Sequence, residues 1–285
     1  MTEQQPSRDN QRATRAVVIR RHSLVTRLMH WLNVLCLSLL LLSGLQIFNA
    51  HPALYWGQYG ADGDPTFLTI GSAEGEGGLR GFLRLGSATF STTGVLGASK
   101  VDGALTPRAF PAWATMPSFQ DLAQGRRWHF FFAWLFVING LAYVVYGFLS
   151  GHFRRDLAPK RAQLSARHLW HEIVDHARLR FPEGDAARTY NALQKLTYLL
   201  VIGVLLPLMV LTGLTMSPGV DAAVPVLLDL FGGRQSARTI HFIAASLLVA
   251  FVLVHVAMVV LSGPWNNMRS MITGRYAIRE RTSAE

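Results

Sequence analysis

The chain has 285 residues, half of them hydrophobic and only 15% charged, with 27 Lys and Arg against 17 Asp and Glu. Soluble domains run near 25% charged, so the composition excludes a soluble enzyme before any motif is read. The apolar residues also collect in blocks instead of spreading as one globular core requires.

In chain order, a basic tail carrying Arg8, Arg12, Arg15, Arg20, Arg21 and Arg27 leads into a first uncharged block, 28–48. Three more blocks follow at 128–150, 196–217 and 240–262, and none of the four contains Lys, Arg, Asp or Glu. A helix needs about 20 apolar residues to cross the hydrocarbon. The expectation is an all-α integral membrane protein: one domain over 1–285 with four transmembrane helices. The first block is too long for the apolar core of a signal peptide, and Asn49-Ala50-His51-Pro52 is a poor cleavage context, so it reads as a retained span. Pro207 is expected to kink the third span. The single Cys36 lies in the first span. That excludes an intrachain disulfide, a Cys-x-x-Cys-His haem attachment and a four-thiolate cluster.

The net charge of +10 is one-sided. The two tails and the 151–195 connection hold 19 basic and nine acidic residues, and the opposite side holds eight of each. The positive-inside rule then puts both termini in the cytoplasm. The excess reads as topology and anionic-lipid contact, and with no recognition motif nucleic-acid binding is excluded.

The long external connection, 49–125, holds 13 of the 25 glycines and five of the 12 prolines. That composition breaks helices and weakens strands. Its Leu54-Tyr55-Trp56, Phe110 and Trp113 are too aromatic for a plain linker, which leaves two readings: a docking surface or an aromatic belt at the lipid boundary. On the inner connection, Ser165–His176 is expected to form an amphipathic surface helix. No internal repeat is evident. His168, His171 and His176 there match no zinc spacing and read as solvated. His51 reads as a boundary or partner contact.

Four histidines lie within or at the ends of the spans: His30, His129, His241 and His255. With the termini inside, His30 and His255 share the cytoplasmic half, and His129 and His241 share the opposite end. His241 and His255 are 14 residues apart, which puts them on one helix face about 21 Å apart along the axis. A zinc site needs three or four ligands at one depth, whereas only two are available at each. Two opposed histidines per level are what bis-imidazole ligation of haem b requires, so two haem b groups are expected. Arg27, Arg126 and Arg238 each precede a histidine by three residues and would sit one turn nearer water. They are candidates to pair with haem propionates, the alternative being ordinary snorkelling. Gly44, Gly140, Gly147, Gly203 and Gly213 either admit a flat macrocycle or let helices pack closely.

Arg27-Leu-Met-His30-Trp31, Arg127-Trp-His129-Phe130, Thr239-Ile-His241 and Val254-His255-Val256 carry a family resemblance. The chain resembles the bacterial di-haem cytochrome b subunits of nickel-iron hydrogenases, formate dehydrogenases and related membrane oxidoreductases. Residues 49–56, 232–238 and 265–276 resemble a thiosulfate-reductase-like subgroup that accompanies periplasmic molybdopterin enzymes. The resemblance implies a subunit of the bacterial inner membrane that exchanges electrons between a periplasmic redox partner and the quinone pool. It also implies a quinone pocket beside the cytoplasmic haem, for which His22, Asn33, Trp265 and Asn266 are the candidate lining residues by depth. Two other functions are weighed: a stand-alone haem oxidoreductase passing electrons from superoxide to quinone, and a non-redox scaffold or transporter. The first needs no 77-residue external loop, and transport would favour charges at mid-span, which are absent.

Overall fold

The computed structural model describes residues 14–180 and 190–281. Among them, four helices are long and apolar enough to cross a membrane. They are α1 (Leu24–Asn49), α2 (Leu122–Leu149), the segment Ala192–Thr215, and α8 (Arg234–Leu261), the last preceded by the short helices α6 (Pro218–Ala223) and α7 (Val226–Leu230). Each of the four starts four to six residues before its uncharged block. A helix does not end where charge begins: its i→i−4 bonds continue through interfacial Arg and Gln, whose heads reach water on long stems.

The third span is interrupted. Its α4 (Ala192–Leu200) passes through a wide turn, Val201–Leu205, into α5 (Leu206–Thr215). Pro207 stands two residues past that turn and has no N–H to return to the preceding turn, so the ladder widens at the expected place.

The chain divides into two compact units. One comprises 14–28, 148–198 and 254–281 within the described residues. There the Ser165 hydroxyl receives the His168 N–H and caps α3 (Ala166–Ala177), the amphipathic helix expected from sequence. The Glu172 carboxylate accepts the N–H groups of Ala192 (3.1 Å) and Leu193 (2.7 Å), so α3 supplies the N-terminal cap of the third span. His168 pairs with that carboxylate at 3.0 Å and His176 bonds its backbone carbonyl, so both serve the same joint. Strands β1 (Thr14–Arg20) and β8 (Arg275–Arg281) pair antiparallel, and α9 (Pro264–Thr273) precedes β8.

The other unit, 29–147 and 199–253, corrects the all-α expectation. Its outer connection is a β layer of β2 (Ala53–Tyr55), β3 (Thr66–Gly75), β4 (Gly78–Leu85) and β5 (Ala88–Ser91), in that order, with a hairpin of β6 (Ala98–Val101) and β7 (Ala104–Pro107). The glycines that argued against strands serve turns and close crossings. Gly77 and Gly78 turn β3 into β4 with positive φ, and at Gly97 (φ +76°) a Cβ would lie 2.0 Å from the Gly71 carbonyl oxygen. The layer's core is Phe48, Leu54, Ile70 and Ala109, with Phe242 packed against it. Residues from the end of α1 and the start of α8 therefore share one core with the strands. Buried Arg108 joins the carbonyls of Phe110 (2.7 Å) and Ser118 (3.0 Å) and the Thr115 hydroxyl (3.0 Å), and burial pushes its pKa down.

Candidate functional site

The β layer is tied to the start of α8, and that positions His241. Gly57 is the centre of the joint: its carbonyl accepts the N–H groups of Gln235 (3.1 Å) and Ser236 (3.0 Å), two of the donors a helix start leaves open. Its own N–H goes to the Ser236 hydroxyl at 2.8 Å. The Thr239 hydroxyl donates to the Tyr55 carbonyl at 2.6 Å, and Arg238 donates to the carbonyls of Ala53 (3.0 Å) and His51. Two of the three stretches resembling one subgroup, 49–56 and 232–238, are thus a single piece of structure.

About two turns into α8, His241 faces His129 of α2, with ring centroids 6.5 Å apart and planes at 62°. The two imidazoles are held alike. Nδ1 of His129 lies 3.1 Å from the Ser43 hydroxyl, which donates its own hydrogen to the Leu39 carbonyl at 2.6 Å. Nδ1 of His241 lies 2.9 Å from the Thr212 hydroxyl, which donates to the Leu208 carbonyl at 2.6 Å. A hydroxyl has one hydrogen, and in both cases it is committed to a carbonyl. Each hydroxyl therefore accepts from its imidazole, Nδ1 carries the proton, and Nε2 is left with a bare lone pair, the form a metal binds.

The spacing suits a shared iron. Two metal–imidazole bonds of about 2 Å, with ring radii of about 1.2 Å, put the centroids about 6 to 6.5 Å apart. A direct nitrogen–nitrogen hydrogen bond would bring them to about 5 Å. Bare glycine backbone lies beside each ring: a Cβ on Gly44 would stand 3.3 Å from Cε1 of His129, and one on Gly213 would stand 3.5 Å from Cε1 of His241. The donor set, tautomers and separation fit haem b held by two histidines.

Ser43 and Thr212 were not singled out from sequence, although a signal was there. Leu39–Leu45 (LLLLSGL) and Leu208–Leu214 (LMVLTGL) are the same motif, and Arg126-x-x-His129-Phe130 matches Arg238-x-x-His241-Phe242. The expected absence of a repeat is corrected: a hydroxyl-glycine helix followed by an Arg-x-x-His helix occurs twice, and the two copies face each other.

His30, on α1, lies in the same unit, its ring edge-on to Trp31 at 5.4 Å. Nearby, Asn139 of α2 donates to the Asn33 side chain (2.7 Å) and the Met29 carbonyl (3.1 Å), so Asn33, expected near quinone, also joins two helices. His255 belongs to the other unit. So do His22, which stacks on Tyr190 at 6.5 Å, and Asn266. The Asn266 amide donates to the Ala277 carbonyl (2.8 Å) and accepts the Ala277 N–H (2.9 Å), so this quinone-pocket candidate also clamps β8. Trp265 beside it is 88% exposed.

The three arginines differ. Arg27 donates to the carbonyls of Ser23 (3.4 Å) and Ile272. Arg126 lies over the Phe130 ring at 5.5 Å, and Arg238 lies over Phe48 at 5.5 Å while holding the loop carbonyls.

The sequence model of the family described as prokaryotic cytochrome b561 matches residues 21–274. A protein of Azospira oryzae described as a protein-methionine-sulfoxide reductase subunit, YedZ1, is 39% identical over 135 residues. The match covers 47% of this chain and 64% of that relative, so the chain spans less than two thirds of the relative's length. No solved structure matches.

Proposed function

Because the chain belongs to the prokaryotic cytochrome b561 family, we propose that it carries electrons between an oxidoreductase docked on the β layer and the quinone pool. The family and the four apolar helices make it a multi-pass haem b protein of the bacterial inner membrane. When bound, haem b supplies reversible one-electron exchange. His129 and His241 would supply nitrogen ligands to the iron, and the Ser43 and Thr212 hydroxyls would fix the orientation of their rings.

The observation that carries this reading is the facing pair His129 and His241, each with Nδ1 bonded to a hydroxyl and Nε2 bare. In this proposal they hold one haem, and His30 and His255, paired on sequence depth alone, hold a second. Arg126 and Arg238, one turn nearer the layer, are the propionate candidates at the first site, and Arg27 is the candidate at the other. Both termini are cytoplasmic, so the β layer is periplasmic. An ordered layer fastened to the helix that carries His241 supports a docking role, and the relative's printed name supports an oxidoreductase as the docked protein. By resemblance that protein is a molybdopterin enzyme. Quinone exchange then falls at the cytoplasmic end, with His22 as a proton-relaying candidate.

Anaerobic mixing of the purified protein with a quinol tests this reading. Reduction of two spectral haem components is expected, with His255→Ala removing the one that responds first. Failure of any quinol to reduce either component contradicts it.

A further inference from the structure

We propose that α9, β1 and β8 form a binding site for the phosphate headgroup of one anionic phospholipid. The inference concerns a region outside the haem-ligating helices and does not depend on the electron-transfer reading.

The first observation is the inverted polarity of α9. Its two asparagines and Ser270 turn inward and are bonded to the protein, while Arg269 stays on the exposed side. Asn266 is committed to Ala277, Asn267 donates to Val259 and Ser262, and Ser270 is buried against the Asn267 carbonyl. Its large apolar side chains turn outward: Trp265, Met268 and Ile272, with Trp265 88% and Ile272 60% exposed. A helix in water does the opposite. The α9 helix begins at Pro264, three residues after α8 ends at Leu261, so the medium against its outer face is the boundary of the bilayer that α8 has just left.

The second observation is uncompensated positive charge on the adjoining strands. Arg20 of β1 and Arg275 of β8 are direct cross-strand partners, an arrangement that is destabilising for like charges unless an anion lies between them. The third is a groove of about 480 Å³ lined by Val18, Arg269, Thr273 and Arg275. Val18 and Arg20 are two residues apart on β1 and share its face, so Arg20 borders the same groove. Among the described residues, none of these three arginines forms an ion pair with a carboxylate.

Together these features describe a site with cationic walls and an apolar, membrane-facing rim; the Thr273 hydroxyl, which donates to the Arg269 carbonyl (2.7 Å) and accepts the Arg275 N–H (3.2 Å), holds the corner between α9 and β8. A diester phosphate anchored by acyl chains satisfies all of them. Inorganic phosphate would satisfy the charges and leave the rim facing water. With both termini cytoplasmic, the lipid belongs to the inner leaflet.

The test is native mass spectrometry of the full-length, haem-loaded protein released from micelles holding equal phosphatidylglycerol and phosphatidylcholine. Retention of phosphatidylglycerol over phosphatidylcholine by about tenfold is expected, falling toward parity in R269Q/R275Q with the haem spectrum unchanged. In nanodiscs with brominated phosphatidylcholine, the emission lost in Trp265→Phe should be the quenched fraction. Equal retention of the two lipids by the wild type overturns the proposal, and so does a preference that survives the arginine substitutions. Unquenched Trp265 emission overturns the membrane-facing rim. Displacement of phosphatidylglycerol by millimolar inorganic phosphate reassigns the site to a soluble anion. Should the double variant fail to fold, the wild-type preference and the Trp265 quenching decide alone.

Discussion

Thr212 Oγ1 stands 2.9 Å from Nδ1 of His241 and 2.6 Å from the Leu208 carbonyl oxygen, so one hydroxyl receives the imidazole proton and gives its own to the helix. The same relay links His129, Ser43 and Leu39 on the facing pair of helices. An acceptor on Nδ1–H makes the imidazole a better electron donor through Nε2 and favours the oxidised iron. Thr212→Val keeps the shape and removes the acceptor. It is expected to raise the reduction potential of one haem component, leave the other in place, and destabilise the protein by about 1–2 kcal/mol. Potentiometric titration reads the first effect and thermal unfolding the second.

The glycines opposite the rings make a steric prediction. A Cβ at Gly44 already stands 3.3 Å from His129, tighter than an ordinary contact, and the Gly213 position allows 3.5 Å to His241. Valine at either position adds branches that push the ring off its axis, at about 1–3 kcal/mol for overpacking. Gly44→Val and Gly213→Val should each cut the haem content of the same site by more than about half, measured by the pyridine haemochrome assay on purified protein.

The facing pair His129 and His241 stood out because a histidine in an apolar block is costly, and two per depth restrict the chemistry. The hydroxyls that orient the pair were not legible by that route, since Ser and Thr are ordinary in membrane helices and bond their own i−4 carbonyl. Only alignment of Leu39–Leu45 with Leu208–Leu214 brings them out. The β layer was misread because glycine counts for turns and for close strand crossings alike: Gly97 looks like a breaker until the Gly71 carbonyl is seen against it. The helix starts were missed for a simpler reason. Arg126, Arg127, Arg234 and Arg238 lie inside helices that composition had ended at the first charge.

His51 gives the joint between the layer and α8 a pH dependence. Burial, and then the nearby Arg238 guanidinium, lower its pKa from the ordinary 6.5. Between the folded and ordinary values the unfolded chain binds more protons, so stability rises with pH there. The contribution is fully present above about 6.5 and is lost as pH falls through the folded value. Thermal midpoints measured from pH 7.5 down to 5 should decline, and His51→Gln should flatten that decline. An unchanged slope in the variant would place the titrating group elsewhere.

Glu172 tests the joint on the other unit. Its carboxylate caps two N–H groups at the start of the third span and also pairs with His168. Glu172→Ala should destabilise the protein by about 1–2 kcal/mol without altering either haem's potential. Differential scanning calorimetry with a parallel redox titration separates the two effects.

Replacing His129 and His241 in turn reads directly whether the two hold one iron between them. His129→Ala and His241→Ala should each abolish the same component in a potentiometric titration of the purified protein, with the second component retained in both. Loss of different components in the two variants, or full retention of both components in either one, would rule out an iron shared by His129 and His241.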